Sequence, residues 1–166
     1  VYAWGSNTYG QLGLGPFIQE SPYPQVITAL SFKKVVEIVA GQYHSLAVTS
    51  SGQVYTWGWG IHGQLGHANC DNFYYPKLLQ FKYPVVQVAA GHAHSLILSE
   101  DGKLYGFGSN VFGQLESCHL DSNKSTSPIL VLLMPDIYTP IEKISTGYFH
   151  NVCMWCIFVS KISLLF

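Results

Sequence analysis

The sequence predicts an all-β fold: a partial β-propeller, in which about three blades, each a four-stranded antiparallel sheet, form an open arc. One phrase occurs three times, as VYAWGSNTYGQLG from Val1, VYTWGWGIHGQLG from Val54 and LYGFGSNVFGQL from Leu104. A second phrase keeps the same period of about 50 residues, as GQYHSLAV, GHAHSLIL and GYFHNVCM. Short apolar runs and glycine turns fill each period, and no stretch shows helical periodicity. A linear β-solenoid is the alternative, but its coils are shorter and lack paired hairpins.

The strands are predicted in chain order from apolar runs that lie between turn residues. Ser51-Gly52 and Asp101-Gly102 join neighbouring strands as tight hairpin turns. Prolines assign residues 16–24 to a surface loop. The third loop, at residues 116–127, is longer and polar, and we expect it to be mobile. The predicted strands are 1–5, 34–40, 44–49, 53–57, 77–81, 85–90, 94–99, 103–107, 129–134 and 141–145.

The repeats divide the chain into three units, approximately 1–50, 53–100 and 103–152, followed by an apolar tail at 153–166. The chain begins inside a copy of its own motif and has no initiator Met, so we expect it to be a fragment of a longer protein. The third copy lacks the glycine turn and aromatic strand that follow in the others. A divergent last strand, a truncated isoform and translated non-coding sequence after Val152 would each explain this, and the abrupt end of the pattern favours the last two. Lys161 interrupts the tail, which is too short for the roughly 17–25 residues of a membrane span.

Composition narrows the class of protein. Of the 166 residues, 48% are hydrophobic and only 10% are charged, while eleven Tyr, nine Phe and sixteen Gly fit many short strands joined by tight turns. The net charge of −1 and the absence of a basic cluster argue against direct nucleic-acid binding. The cysteines do not follow the repeat, so they form no disulfide framework and favour an intracellular location, cytoplasmic or nuclear. They are Cys70, Cys118, Cys153 and Cys156.

Three aligned glycines follow an aromatic residue, where a glycine indicates a positive φ or the close approach of another backbone. These positions are Trp4-Gly5, Trp57-Gly58 and Phe107-Gly108. Two residues beyond the glycine, each copy has Asn or Gly, the residues that best tolerate the left-handed region. We therefore predict a positive φ at Asn7, Gly60 and Asn110.

Each copy continues with a Gly-Gln-Leu triplet. We predict that the leucine fills the core and that the glutamine hydrogen-bonds the loop backbone, because a half-buried amide needs partners. The triplets are Gly10-Gln11-Leu12, Gly63-Gln64-Leu65 and Gly113-Gln114-Leu115.

A histidine opens one strand of each copy, three residues after a glycine. Its recurrence favours a structural role, in which the imidazole donates a hydrogen bond to a carbonyl and packs on apolar neighbours. The pairs are Gly41 with His44, Gly91 with His94, and Gly147 with His150.

No catalytic, cofactor or metal site is predicted. Residues 58–63 match a dinucleotide-binding glycine pattern, but a loop follows where that motif requires a helix. His92 and His94 share a strand face without a third ligand nearby in sequence, so a metal site is not expected. Cys153 and Cys156 resemble half of a zinc or redox motif and lack a partner pair. Ser45 and Ser95 directly follow a histidine, yet adjacent side chains of a strand point to opposite faces.

The two phrases in their order resemble the regulator of chromosome condensation repeat, from Val1 to about Val152. The resemblance implies a seven-bladed propeller with about 50 residues per blade, for which a closed ring needs roughly twice this chain. The double-glycine phrase of kelch repeats and the WD dipeptide are both missing.

The resemblance implies a broad range of functions. The founder of the family is a guanine-nucleotide exchange factor for a small nuclear GTPase and also docks on nucleosomes, whereas many relatives use the propeller as a protein-binding module. No binding residue is carried over, because the founder's surface loops have no match here. We expect a protein-interaction module that binds a protein partner; the alternatives are an exchange regulator of a small GTPase and a chromatin-binding propeller. The partner, the binding face and the oligomeric state stay open.

Overall fold

The computed structural model describes residues 1–115, 123–131 and 140–155. Most of the long third loop, the end of the predicted 129–134 strand, Cys118 and the tail from Cys156 lie outside the described residues. The described part contains twelve strands and one short 3-10 turn, Thr28–Leu30. The strands are β1 (Tyr2–Ser6), β2 (Glu20–Val26), β3 (Val35–Ala40), β4 (His44–Thr49), β5 (Val54–Gly58), β6 (Phe73–Leu78), β7 (Val85–Ala90), β8 (His94–Ser99), β9 (Leu104–Ser109), β10 (Lys124–Leu130), β11 (Ile141–Thr146) and β12 (Asn151–Trp155).

The strands form four successive antiparallel sheets. Two are complete four-stranded meanders, β3-β4-β5-β6 and β7-β8-β9-β10, and two have two strands each, β1-β2 and β11-β12. The first strands of successive sheets lie side by side, because β7 packs on β3 and β4 while β11 packs on β7 and β8. None of the described sheets closes on itself. The predicted all-β fold, a partial propeller with open ends, is confirmed.

The sheets are out of phase with the sequence repeats. The first predicted unit supplies β1 to β4, of which β1 and β2 form one sheet while β3 and β4 begin the next. Three repeats therefore give two complete sheets and two half-sheets, rather than three separate blades. Each repeat covalently ties one sheet to the following one. The strand β12 extends through Trp155, into the segment that the sequence assigned to a non-repeat tail.

The sequence-based assignment was wrong at the outer strands β2, β6 and β10; β6 spans Phe73–Leu78 instead of the predicted 77–81. Residues 16–24 were assigned to a loop, but β2 begins at Glu20, and β10 begins at Lys124 inside the predicted third loop. These strands contain Pro22, Pro24 and Pro128. Proline is tolerated there because an edge strand leaves alternate N–H groups without a ladder partner.

The apolar core lies between successive sheets and forms three clusters. One joins β1-β2 to the first complete sheet, one lies between the complete sheets, and one packs the second complete sheet on β11-β12. The leucines of the three Gly-Gln-Leu triplets are all buried, as predicted. Representative members are Ile27 and Trp57 in the first cluster, Leu46 and Phe107 in the second, and Leu96 and Ile144 in the third.

The glycines after the aromatic residue have positive φ, as predicted: +106° at Gly5, +103° at Gly58 and +102° at Gly108. At Gly58 and Gly108 a Cβ atom would also collide with the backbone of the preceding strand. Both reasons for a glycine therefore apply at these two positions.

The prediction of positive φ at Asn7, Gly60 and Asn110 was wrong. The buried amide of Asn7 donates from Nδ2 to the carbonyls of Gly15 and Ile18, and its Oδ1 accepts from the Leu12 N–H at 2.8 Å. Asn110 accepts from the Leu115 N–H in the same way at 2.7 Å. Asparagine stands here because its side chain closes the loop, not because its backbone is left-handed.

Gly60 is the exception that replaces this asparagine. A Cβ at Gly60 would overlap the carbonyl of Asp71, so the opposite arm of the loop fills the space of the missing side chain. The Gly60 N–H donates instead to Oδ1 of Asn72 at 2.9 Å. In this loop the side chain that makes the closing hydrogen bond is therefore that of Asn72, on the opposite arm.

Substitution Asn7→Ala is expected to lower the free energy of unfolding by about 2–3 kcal/mol, because it leaves buried backbone groups of the loop without partners. Asn72→Ala is the control: it removes one half-buried hydrogen bond and should cost about 1 kcal/mol. Equal losses in urea unfolding would contradict the role assigned to Asn7.

Candidate functional site

The loops that join β1 to β2, β3 to β4 and each later odd-numbered strand to the next lie at the same end of the sheets. Aromatic and imidazole rings from these loops meet there, and we call this surface the aromatic face. Its members are Tyr9, Tyr43, Trp59, His62, His92, Phe112, Tyr148 and Phe149.

The first half of the aromatic face joins loops of two sheets. Tyr9 lies 5.0 Å from Tyr43 and 5.4 Å from Trp59, measured between ring centroids. Trp59 meets the edge of Tyr43 at 5.6 Å and the edge of His62 at 4.9 Å. Offset and edge-on geometries of this kind are the favourable ones for aromatic rings. The loops therefore support one another through their side chains.

The second half repeats this arrangement one sheet further along. His92 lies 4.4 Å from Tyr148 and 5.2 Å from Phe149 between ring centroids. Phe149 also contacts Phe112 at 4.9 Å. Phe112 is 67% exposed and Tyr148 51% exposed, so this half presents a large apolar area to solvent.

The two imidazoles of the aromatic face, His62 and His92, are uncharged at pH 7. Burial lowers the pKa of His62, and the nearby His92 and Lys124 lower it further. Burial also lowers the pKa of His92. Both rings therefore act as polar aromatic groups that donate and accept hydrogen bonds, without adding positive charge to the surface.

The glutamines of the three triplets position the aromatic face. Their Oε1 atoms accept from the backbone N–H two residues earlier, that of Tyr9, His62 and Phe112, each at 2.9 Å. The predicted glutamine-to-loop hydrogen bonds are confirmed. The sequence carried a signal for this surface that our assignment missed: every Gly-Gln-Leu triplet is preceded by an aromatic or imidazole ring.

The repeated histidines form a second feature, a hydrogen-bonded chain between sheets that we call the inter-sheet relay. Nε2 of His44 lies 3.0 Å from Oγ of Ser95, which donates to the Gln64 carbonyl at 2.7 Å. One sheet further on, Nε2 of His94 lies 2.7 Å from Oδ1 of Asn151. Nδ2 of Asn151 donates to the carbonyl of Gln114 at 2.5 Å, the triplet glutamine of the previous sheet.

The relay partner differs from the prediction. The histidines were expected to donate to a backbone carbonyl, but they donate to a side chain of the next sheet, a serine hydroxyl or an asparagine amide oxygen. The glycine three residues earlier makes room for the ring, because a Cβ at Gly41, Gly91 or Gly147 would overlap the imidazole that follows it. The glycine and the histidine of each pair are thus one packing unit.

The remaining sequence motifs, apart from Cys156, lie in loops and strands of the described residues. A Cβ at Gly63 would lie 2.5 Å from the Ser125 carbonyl, so this glycine of the dinucleotide-like pattern serves loop packing. Across residues 1–115, 123–131 and 140–155, no three His, Cys, Asp or Glu side chains converge as metal ligands. Cys153 is half-buried, and burial raises the pKa of its thiol; its predicted companion Cys156 lies outside the described residues. No helix of the described part is long and apolar enough to span a membrane.

Comparison with known protein families matches the regulator of chromosome condensation (RCC1) repeat at residues 1–48, 51–98 and 101–154. The chain belongs to the RCC1 repeat family. A second description of the same repeat matches residues 35–64 and 85–114, which cover the first three strands of each complete sheet.

Similar proteins include large ubiquitin ligases that contain RCC1 repeats. The probable E3 ubiquitin-protein ligase HERC6 of Homo sapiens is 46% identical over 66 residues, which are 40% of this chain and 6% of that protein. The E3 ubiquitin-protein ligase HERC2 of Homo sapiens is 43% identical over 82 residues, 48% of this chain and 2% of that protein. The RCC1-repeat chain therefore spans a small part of these relatives.

Solved structures share the fold. Human WBSCR16 superposes with a TM-score of 0.76 at 30% identity, over 89% of this chain and 38% of that one. Prp20p of Saccharomyces cerevisiae, whose structure was described with its binding to Gsp1p and histones, superposes with a TM-score of 0.80 at 19% identity, over 93% and 39%. At this identity the second likeness concerns the fold alone.

Proposed function

We propose that this RCC1-repeat chain is a protein-interaction module in an intracellular protein, cytoplasmic or nuclear, and that the aromatic face is its binding surface. The observation that carries the proposal is the continuity of partly exposed rings across the loops of successive sheets. Tyr, Trp and Phe are enriched at the centres of protein interfaces, where they contribute a large share of the binding energy.

The loops of the aromatic face are held in place before a partner binds. The glutamine hydrogen bonds at Tyr9, His62 and Phe112 fix the loop backbone, and ring contacts fix the side chains. Ordering a side chain at an interface costs about 0.5–1.5 kcal/mol. Many of these side chains are already ordered in the free chain, so binding loses less of this free energy. A partner that offers apolar side chains and hydrogen-bonding groups is favoured, because the rings are uncharged at neutral pH.

The relatives suggest which partners to test first. Prp20p binds Gsp1p and histones, and the HERC relatives are E3 ubiquitin-protein ligases. A small GTPase of the Gsp1p type and core histones are therefore the first purified probes. A nucleotide-release assay with the same GTPase tests exchange activity at the same time.

Trp59→Ala is expected to weaken the binding of any protein that the unmodified chain binds through the aromatic face, by about tenfold or more. Trp59 contacts three other rings of this face, so its loss affects the whole cluster. Phe32→Ala is the matched control, since Phe32 is fully exposed and lies at the opposite end of the sheets. Binding would be followed by biolayer interferometry with the GTPase, with histones and with proteins captured from cell extract. Equal binding of every protein by the two variants would contradict the proposal.

A further inference from the structure

A side chain on the first strand of one sheet binds the backbone of the first strand of the next. On β7, Gln87 holds Ile144 of β11 by two hydrogen bonds. The Ile144 N–H donates to Oε1 of Gln87 at 2.8 Å, and Nε2 of Gln87 donates to the Ile144 carbonyl at 3.1 Å. Glutamine suits this contact because its amide carries both an acceptor and a donor.

Glu37 occupies the equivalent position one sheet earlier, as the third residue of β3, and Gln87 is the third residue of β7. The Val88 N–H donates to Oε2 of Glu37 at 3.0 Å, which reproduces the first of the two bonds. An ionised carboxylate has no hydrogen with which to make the second bond. The chain therefore contains the same contact twice, once with two hydrogen bonds and once with one.

The Val88 carbonyl is directed towards Glu37. In an antiparallel pair, a residue either exchanges both of its backbone hydrogen bonds with the residue opposite or exchanges neither. Val88 lies opposite Ile97 on β8, and its N–H is bound to Glu37, so neither bond is exchanged with Ile97. Its carbonyl consequently points away from β8 as well. A donor on the Glu37 carboxyl group would meet an acceptor there, as Nε2 of Gln87 does at Ile144.

We propose that Glu37 is a proton-dependent latch between the two complete sheets, a contact whose second hydrogen bond forms only when the carboxyl group is protonated. When the carboxylate takes up a proton from solvent, its O–H donates to the Val88 carbonyl. The contact then matches that of Gln87 with Ile144. The strands β3 and β7 lead into the loops that carry Tyr43 and His92, so the latch joins the sheets beneath both halves of the aromatic face.

The surroundings of Glu37 favour the protonated form. Burial raises the pKa of Glu37 above its ordinary value of 4.5, and the hydrogen bond from Val88 offsets part of this rise. The strands β3 and β7 carry no other titratable side chain, and β4 carries only His44, whose Nε2 lies against Ser95. A group with a raised pKa takes up its proton at a higher pH in the folded chain than in the unfolded one. The latch therefore strengthens as the pH falls towards 4.5 and weakens as the pH rises.

Glu37→Gln tests the latch because it supplies the two-bond contact at every pH. At pH 7 this variant should raise the ratio of folded to unfolded protein about two- to tenfold over that of the unmodified chain, the effect of one further hydrogen bond. The advantage should shrink as the pH is lowered from 7 to 5, because the carboxyl group of the unmodified chain takes up its proton. Urea unfolding measures both effects. The buried histidines are present in both chains, so their titration cancels in the comparison.

Gln87→Glu is the reciprocal variant, since it removes the donor to the Ile144 carbonyl. It should lower the folded-to-unfolded ratio about two- to tenfold at pH 7, and part of this loss should be recovered at pH 5. Glu100→Gln is the matched control, because it removes one negative charge from an exposed side chain outside the contact. The proposal is wrong if Glu37→Gln is no more stable than Glu100→Gln at pH 7. It is also wrong if the advantage of Glu37→Gln is the same at both pH values.

Nuclear magnetic resonance follows the proton directly. The carboxyl carbon signal of Glu37, assigned by its absence in Glu37→Gln, should titrate with a midpoint above 4.5. The amide signal of Val88 should shift with the same midpoint, because this N–H is bound to the titrating group. A midpoint at or below 4.5 for the Glu37 signal would overturn the proposal.

Discussion

Gly108→Ala is expected to lower the free energy of unfolding by about 3 kcal/mol or more, which is a large part of the stability of a typical domain. Gly108 has a φ of +102°, and a Cβ there would lie 2.5 Å from the Ala93 carbonyl and 2.7 Å from the His94 Cα. Backbone strain of this kind costs about 1–3 kcal/mol. Overpacking adds about 1–3 kcal/mol, because relief requires β9 to move away from β8 in the middle of a sheet. Urea unfolding of dilute protein measures the loss.

Gly5→Ala separates the two contributions. Gly5 has nearly the same φ, +106°, but a Cβ there would meet no atom within 4 Å. This variant should show the backbone strain alone, about 1–3 kcal/mol. If the two alanine variants lose equal stability, the contact between β8 and β9 is not what requires glycine at position 108.

The inner strands could be predicted from the sequence because their signal is local and repeated. The predicted strand 44–49 coincides with β4, and 94–99 coincides with β8. The outer strands carry no such signal, since Pro22 and Pro128 indicate loops by every local rule. Only pairing with β1 and β9 makes these segments strands, and that pairing is a property of the sheet.

The candidate site shows a similar division. Alignment of the repeats identified the glutamines, the leucines and the histidines, each of which recurs at one position. It did not identify Ser95 as the partner of His44, because the two residues are 51 positions apart and meet only when one sheet packs on the next. The sequence-based argument considered Ser95 only beside its neighbour His94, and adjacent side chains of a strand point to opposite faces. The asparagine prediction failed for another reason: backbone tolerance and side-chain capping favour the same residue, and the structure uses the side chain.

Acidification is expected to destabilise the chain through its buried histidines. Burial lowers the pKa of His44 to about 3, and Nδ1 of His44 and of His94 is buried without a hydrogen-bond partner among the described residues. A proton added there would create a charge in a buried environment. The unfolded state has the ordinary histidine pKa of about 6.5, so between about pH 6.5 and 3 it binds more protons than the folded state. The free energy of unfolding is therefore not reduced by these histidines above about pH 6.5, and it falls as the pH drops below that value.

His44 alone should contribute a slope of about 1.4 kcal/mol per pH unit below about pH 6.5, or about 2 kcal/mol by pH 5. Burial also lowers the pKa of His94, and that of His67 to about 4, so the whole chain should be steeper still. Urea unfolding of dilute protein between pH 7 and 5 measures this slope. His44→Gln should reduce this slope by about 1.4 kcal/mol per pH unit, the contribution of one proton. The glutamine amide can still donate to Ser95 but does not titrate. His92→Gln is the control and should change the slope less, since His92 is only partly buried. An unchanged slope in His44→Gln would show that His44 is not the group that titrates.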